Sequence, residues 1–597
     1  MQFRNFERIS KKKKESAFIM RKQTKVVAVA SAAALLAIGA SMTSFAATGW
    51  VEEDGQWFFY DKDGVRVEDE WKKSGDNWYW LDSEESGAMA TDKLVEDDDD
   101  TYYVDANGVM VRNTWVKVVN EDQDDDEDPA EYNYYYMQSN GKAYKAGDNS
   151  TTKFKTIDGK RYAFDEDGKM LYGWVSQDSE RLTDESDWAS EDEIYYLGNW
   201  DDGAMKTGWQ KINVYDEAED EDMDHWFYFN SNGKRFEKTT QTDSLRTKTV
   251  NGKKYGFDER GVMVYTWAVA TGSEATAKNW SYFSNPEDGA RVTKGWFKVV
   301  PPNEDNTFNA EYTDSDSFDT KDADDEDENW YYANGDGTLE TAKIKKIKGK
   351  YYGFMPDDGR EGAGKMMSGL NLLLVDEDGT VLDVAADGDD MDADDISDLL
   401  DGDFDTYLNQ GYTLYYFGND EDADGSMKTG NVTVNLDGDT YQFLFDKSGG
   451  VESKGAGLTG IDDDKYIYKA GVRVKASSDD KYMIVKVTGT NGEVDVNAEG
   501  VQVTKYSGTD LRSDDTLESD SFRNDDGNTL RYVITMGNNY RLVNTTGSIQ
   551  KNKTAAKDGD DWYFFVDDYD VKLYTNEKEL TPADGVIDSA DLDNWKE

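Results

Sequence analysis

The side chains able to do acid–base or covalent chemistry in this 597-residue chain are unevenly stocked. Cysteine is absent and there is one histidine, His225. Disulfides, thiol nucleophiles, cysteine-ligated zinc and His-rich metal sites are therefore ruled out. A Ser-His-Asp triad would have to be built around His225, which stands between an acidic stretch and a short aromatic run and reads as a loop residue. Carboxylates are abundant instead: 125 acidic residues against 66 basic ones make candidate pairs for glycoside hydrolysis too numerous to choose by counting. No long non-repetitive stretch precedes Gly430 to hold such a pair. The expectation is a protein without catalysis and without a cofactor, and 370–410 and 431–597 are where an enzyme would be hidden. Gly455-Ala-Gly457-Leu-Thr-Gly460 matches a dinucleotide glycine spacing but lacks the strand before it and the helix after it. Asp584-Gly585-Val-Ile-Asp588 resembles half of a calcium loop, with Leu580 and Pro582 where ligands should stand. No metal site is predicted.

Aromatic chemistry remains. The chain has 17 Trp, 37 Tyr and 24 Phe, and the faces of these rings attract cations. They recur in cassettes. Gly203-Ala-Met-Lys-Thr-Gly208-Trp209-Gln-Lys leads, after an acidic interruption, to Trp226-Phe-Tyr-Phe229 and the turn Asn230-Ser-Asn-Gly233. The Gly-Trp step opens a strand, the aromatic run returns it, and Asn and Gly tolerate the positive φ of a tight turn. Side chains alternate along a strand, so Trp226 and Tyr228 share one face and Phe227 and Phe229 the other. One hairpin cannot bury two aromatic faces; stacking cassettes can. Compact copies include Gly49-Trp50 with Trp57-Phe-Phe-Tyr60, and Trp71 with Trp78-Tyr-Trp80.

A second cassette type reads Ile157-Asp-Gly159-Lys-Arg-Tyr162-Ala-Phe164. It returns around Gly252, with Tyr255 and Phe257, and around Gly349, with Tyr352 and Phe354; a worn copy surrounds Gly438. The interval is about 90 residues, so the cassettes form a higher-order repeat. Insertions rich in Asp and Glu fall between a Gly-Trp strand and its return, as between Trp115 and Tyr134, Trp209 and Trp226, and Trp296 and Trp330. They read as solvated loops, with a short helix near Asp390–Leu400. The predicted fold is all-β: an elongated β-hairpin solenoid over 47–430, followed by a β-rich region, 431–597, that either continues the repeats or caps them.

Residues 1–46 read as a secretory signal: a basic Met20–Lys25, an apolar Val26–Ala40, and small residues at Ser44-Phe45-Ala46. The net charge of −59 argues against nucleic acid and anionic lipid as partners. No later segment predicts membrane insertion, so a chain held at the cell surface would be held by its repeats.

Gly-Trp, an aromatic run and Gly-x-Met-x-Thr-Gly-Trp together resemble the cell-wall-binding repeats of Gram-positive surface proteins, a family that includes choline-binding and glucan-binding repeats. The resemblance covers about Thr48–Gly430, with roughly a dozen copies in series. It implies ligands held between consecutive hairpins. Carried over by position, a choline-type site uses the Gly-Trp tryptophan, the first residue of its aromatic run and the next Gly-Trp tryptophan: Trp50, Trp57 and Trp71, or Trp267, Trp280 and Trp296. The expected protein is secreted and cell-wall associated, docking on choline-substituted teichoic acid or glycan polymers. An adhesin for host or dietary glycans, and less so a wall hydrolase, are the alternatives.

Overall fold

The computed structural model describes residues 48–578, apart from 124–128, 147–150, 191, 218–219, 238–244, 270–276, 303–326, 358–361, 389–390, 419–423, 452, 514–517, 524–528, 537–538 and 577. The signal region and the Asp584–Asp588 loop lie outside the described residues. So does most of the insertion between Trp296 and Trp330.

Strands dominate and nearly all pair as antiparallel hairpins. In the cassette read from the sequence, Gly208–Asp216 pairs with Glu221–Phe229, placing Trp209 opposite Tyr228. Phe227 and Phe229 are fully buried, while Trp226 and Tyr228 are half-buried, so the two faces differ as alternation requires. Each such phenyl ring contributes about 1.5–3 kcal/mol of transfer free energy. After the turn the chain comes back as a single bridging residue, and this is what ties cassettes together. The Met263 N–H donates to the Trp226 carbonyl of the preceding hairpin (2.9 Å), the Met170 N–H to Tyr134 (2.8 Å) and the Met366 N–H to Trp330 (2.7 Å). In its most regular form the arrangement makes a five-stranded sheet from two hairpins: Gly49–Glu53, Gln56–Tyr60, Ala88–Met89, Asn77–Asp82, Glu70–Ser74 in spatial order. The same order recurs over 246–291 and 430–473.

The described chain divides into two compact units, one running to Asp187 and including Glu193–Lys206, the other comprising Trp188–Asp192 and Thr207 onward. Within the second unit, Gly430–Leu436 opens the last of the five-stranded sheets, and the architecture changes at Tyr482, where an eight-stranded sheet begins. Its core holds Ile484, Leu542, Phe564 and Tyr574.

Two insertions are not the solvated loops expected. Between Trp209 and Trp226 the chain extends the hairpin to nine residues per strand. His225 is consequently a buried strand residue, with Nε2 2.7 Å from the buried Asp216 carboxylate, which Arg260 also reaches at 3.1 Å. The extra pairs bury apolar Ile212 and Val214 on the same face, which a free loop would leave in water. The insertion after Leu370 forms a second strand, Val381–Ala386, and the helix Ala393–Asp401, begun by an Asp392/Asp395 capping box and ended by Gly402 at φ 109°.

Candidate functional site

The tryptophans Trp115, Trp209 and Trp296 each meet their own return strand and the next cassette. Gly208 and Gly295 have φ of 73° and 106°, and an added Cβ would meet nothing, so conformation rather than space selects glycine before these tryptophans. The Trp209 ring stands 6.2 Å from Trp226 at 89° and 5.3 Å from Tyr228 at 84°. From the next hairpin, Arg246–Val250 paired with Lys253–Phe257, Tyr255 approaches to 4.7 Å at 70°, and Phe257 stacks at 5.6 Å and 25°.

The arrangement repeats. Trp296 stands 6.3 Å from Trp330 at 85°, 4.8 Å from Tyr352 at 66° and 5.6 Å from Phe354 at 27°. In the first unit, Trp115 stands 4.9 Å from Tyr162 at 69° and 5.7 Å from Phe164 at 23°, with Tyr134 in the same cluster. The Trp–Tyr and Trp–Phe contacts thus have nearly the same geometry in all three corners, each made by a Gly-Trp or Thr-Trp cassette and the glycine-centred cassette after it, while the perpendicular Trp–Trp contact is shared by the second and third. The corner rings Trp115, Tyr134, Tyr162, Trp209, Trp226, Tyr255, Trp296, Trp330 and Tyr352 are all half-buried. Steeply inclined faces around one point are what a small organic cation requires.

Carboxylates rim these corners, each clasped by the lysine two residues before the corner tyrosine: Lys160–Asp202 at 3.3 Å, Lys253–Asp288 at 2.6 Å and Lys350–Asp424 at 3.0 Å. The Tyr255 hydroxyl also donates to Asp288 (3.4 Å). The hydrogen bond from Lys428, followed by that from Ser426, holds the Asp424 carboxyl well below the usual range. Burial alone would push Asp202 up, but Lys206 and Lys160 hold it low. Asp202 and Asp424 therefore stay ionised through the neutral and mildly acidic range, each balanced by two lysines. Burial pushes the Tyr134, Tyr162 and Tyr255 hydroxyls up, so these rings stay neutral in ordinary solution.

The expected triads are not assembled as expected. Trp50 packs on Phe59 (5.4 Å) and Tyr79 (5.3 Å), and no ring contact joins it to Trp57 or Trp71. Trp71 packs on Trp80 (5.2 Å) and Tyr102 (5.1 Å). Trp57 is half-buried on the return strand of the first hairpin. The third wall is the middle residue of the next return strand, not the next Gly-Trp tryptophan. The reason is alternation: Trp71 pairs with Trp80 and faces forward, so only the residue between Trp78 and Trp80 faces back. Trp267 and Trp280 do meet, at 6.4 Å and 71°, but both are completely buried with Tyr331, Leu339 and Ala363. The Trp267 indole N–H donates to the Val300 carbonyl (2.8 Å). Trp296 belongs to the following corner instead. Of the nine corner rings only Trp296 was among the expected site residues; Trp115, Tyr134, Trp209, Trp226 and Trp330 were not chosen, nor were Tyr162, Tyr255 and Tyr352, although their cassettes repeat plainly in the sequence.

A family of cell wall binding repeats of the choline-binding kind matches residues 48–65, 69–89, 92–110, 221–234 and 325–339. Among curated proteins no sequence matches this chain. Solved structures similar to parts of it include the modular autolysin LytC from Streptococcus pneumoniae in complex with a synthetic peptidoglycan ligand, with 18% identity over 51% of this chain and 51% of that one and a TM-score of 0.28. This chain thus spans about half the length of that autolysin. The choline-binding domain of CbpL from Streptococcus pneumoniae is 21% identical over 41% of this chain and 97% of that one, with a TM-score of 0.24. For choline binding protein F from Streptococcus pneumoniae the identity is 17%, over 72% of this chain and all of that one, with a TM-score of 0.20. TM-scores this low do not establish a common overall arrangement. The matched segments include Trp50, Trp57, Trp71, Trp226 and Trp330, and these stretches of the chain are cell-wall-binding repeats of the choline-binding kind.

Proposed function

We propose that this is a secreted, non-catalytic surface protein that docks on choline-bearing polymers of the cell envelope through its half-buried aromatic corners. The observation that carries the reading is the threefold recurrence of one ring geometry, around Trp115, Trp209 and Trp296, at the junction of the same two cassette types. Rings alone would suit a sugar as well as a cation. The chain's net charge of −59 favours a quaternary ammonium, so a choline-substituted teichoic acid fits better than a neutral glycan. One corner gives about millimolar affinity, and several engaged on one polymer hold far more tightly.

The test is retention on purified cell walls and elution by free choline. Release by choline, and failure of a Trp209→Leu/Trp296→Leu double variant to bind, support the reading. Retention unaffected by choline but released by a wall oligosaccharide points to the glycan alternative. Wall degradation abolished by replacing a single Asp or Glu overturns the non-catalytic reading.

A further inference from the structure

Each corner has a second flank, and there the protein supplies its own cation. Lys248 lies directly across the strand pair from Tyr255, and Lys155 and Lys345 stand in the same register opposite Tyr162 and Tyr352. Each lysine reaches back to the preceding cassette. The Lys248 ammonium sits 4.8 Å from the Tyr228 ring centroid and 4.5 Å from that of Phe236. Lys345 sits 5.3 Å from Tyr332, and Lys155 4.8 Å from Tyr144. An amide oxygen completes two of these seats: Lys248 donates to Asn230 Oδ1 (2.9 Å) and Lys345 to Asn334 Oδ1 (2.8 Å). These amides are oriented from behind, since Asn230 Nδ2 donates to the Lys234 carbonyl (3.3 Å). Lys345 also pairs with Glu340.

Ring faces plus an inward amide oxygen form an ammonium site of the same chemical class as the open corner, built at the same junction. We propose that Lys155, Lys248 and Lys345 are resident occupants of a second alkylammonium seat at each junction, and that by filling it they limit each junction to one external cation. The lysines are thus specificity-setting residues: they touch no ligand but decide how many the junction accepts. The proposal deepens the choline reading by fixing its stoichiometry, yet the seat's chemistry stands on other groups: Tyr228, Phe236 and Asn230, with the Arg246 guanidinium also 4.4 Å from Phe236, and Tyr332, Asn334 and Glu340.

The experiment is chemical rescue in the full-length chain. Lys248→Ala is expected to lower Tm by about 2–4 °C. Adding n-butylammonium, which carries the lysine stem and charge, should restore more than half of that loss beyond whatever shift it causes in wild type. Butan-1-ol, matching the stem without the charge, should not. Lys248→Met keeps the stem in place and should lose stability without being rescued. Equal rescue by butanol, no rescue beyond the wild-type shift, or a Lys248→Met variant as stable as wild type would each overturn the proposal. If Lys248→Ala does not fold, Lys345→Ala carries the same test. Because the wild-type response is subtracted, failure of choline to bind the open corners leaves this result readable.

Discussion

Two consecutive corners share one strand and differ in one respect. On Asn329–Ala333, Tyr331 faces back and Trp330 faces forward. Looking back, Tyr331 meets Trp267 at 5.0 Å and 76°, with Trp280 beside them; looking forward, Trp330 and Trp296 meet Tyr352. The ring geometry is nearly the same, but the first set is completely buried and the second half-exposed. The closed corner is roofed by Ala277, Leu339 and Ala363; Met366 takes the Leu339 position in the open one, and no residue described in that cluster matches Ala277 and Ala363. The same cassette is therefore either a piece of core or a ligand surface, according to what the neighbouring loops lay over it. An aromatic triad identified by position alone does not distinguish the two.

The comparison is broken most forcefully at the closed corner. Trp267→Ala should cost about 3–5 kcal/mol by leaving an apolar cavity, measured by denaturant unfolding, with choline binding at intact corners unchanged. Trp280→Leu, a change that would weaken binding if this triad were a cage, should instead lower stability and leave affinity alone. At the open corner the signature reverses. Trp296→Leu should reduce affinity for choline about 5–30-fold at that site while the far-ultraviolet spectrum and Tm change little. If Trp296→Leu unfolds as Trp267→Ala does, the two corners are equally structural.

Smaller effects sharpen the distinction. Thr266 occupies the place that glycine takes before Trp209 and Trp296, and its φ of 58° is strained for a β-branched residue. Thr266→Gly should stabilise the closed corner by about 0.5–1 kcal/mol, since the released strain exceeds glycine's entropic cost. pH gives the smallest effect. The folded-state pKa values of Asp202 and Asp424 are depressed, so their contribution is complete above the ordinary carboxylate range and is lost only as pH falls through the depressed values. No histidine lines the corners, and burial holds the Tyr162 and Tyr255 hydroxyls above their usual range. Choline affinity should therefore be flat from about pH 5 to pH 9 and fall only in stronger acid. A midpoint near neutrality would mean that a group other than these carboxylates and tyrosines controls binding.

Much of this was legible in the sequence. Gly-Trp steps, aromatic runs and Asn/Asp-Gly turns mark the hairpins because each has a backbone requirement, and the glycine-centred cassettes mark the period. Tyr162, Tyr255 and Tyr352 were within reach of the same alternation rule that separates Trp226 from Phe227, applied one cassette further. A local cue also separates the closed corner. Trp115, Trp209 and Trp296 are followed by x-Lys, as suits a wetted strand, whereas Trp267 is followed by Ala-Val. His225 was not legible, because its burial depends on a long strand pairing that an acidic composition does not advertise: Asp222 and Asp224 face outward while His225 faces in. The roof over Trp267 and Trp280 comes from residues about 10, 70 and 95 positions after Trp267, a tertiary fact beyond any local pattern.

The central claim is that the half-exposed corners, not the buried one, take a cationic ligand. Calorimetric titration of choline into the full-length wild type and into the Trp115→Leu/Trp209→Leu/Trp296→Leu variant tests it most directly. The account predicts saturable binding in the wild type and its loss in a variant that retains its cooperative unfolding transition. Undiminished binding in that variant, or no binding by the wild type, would contradict it.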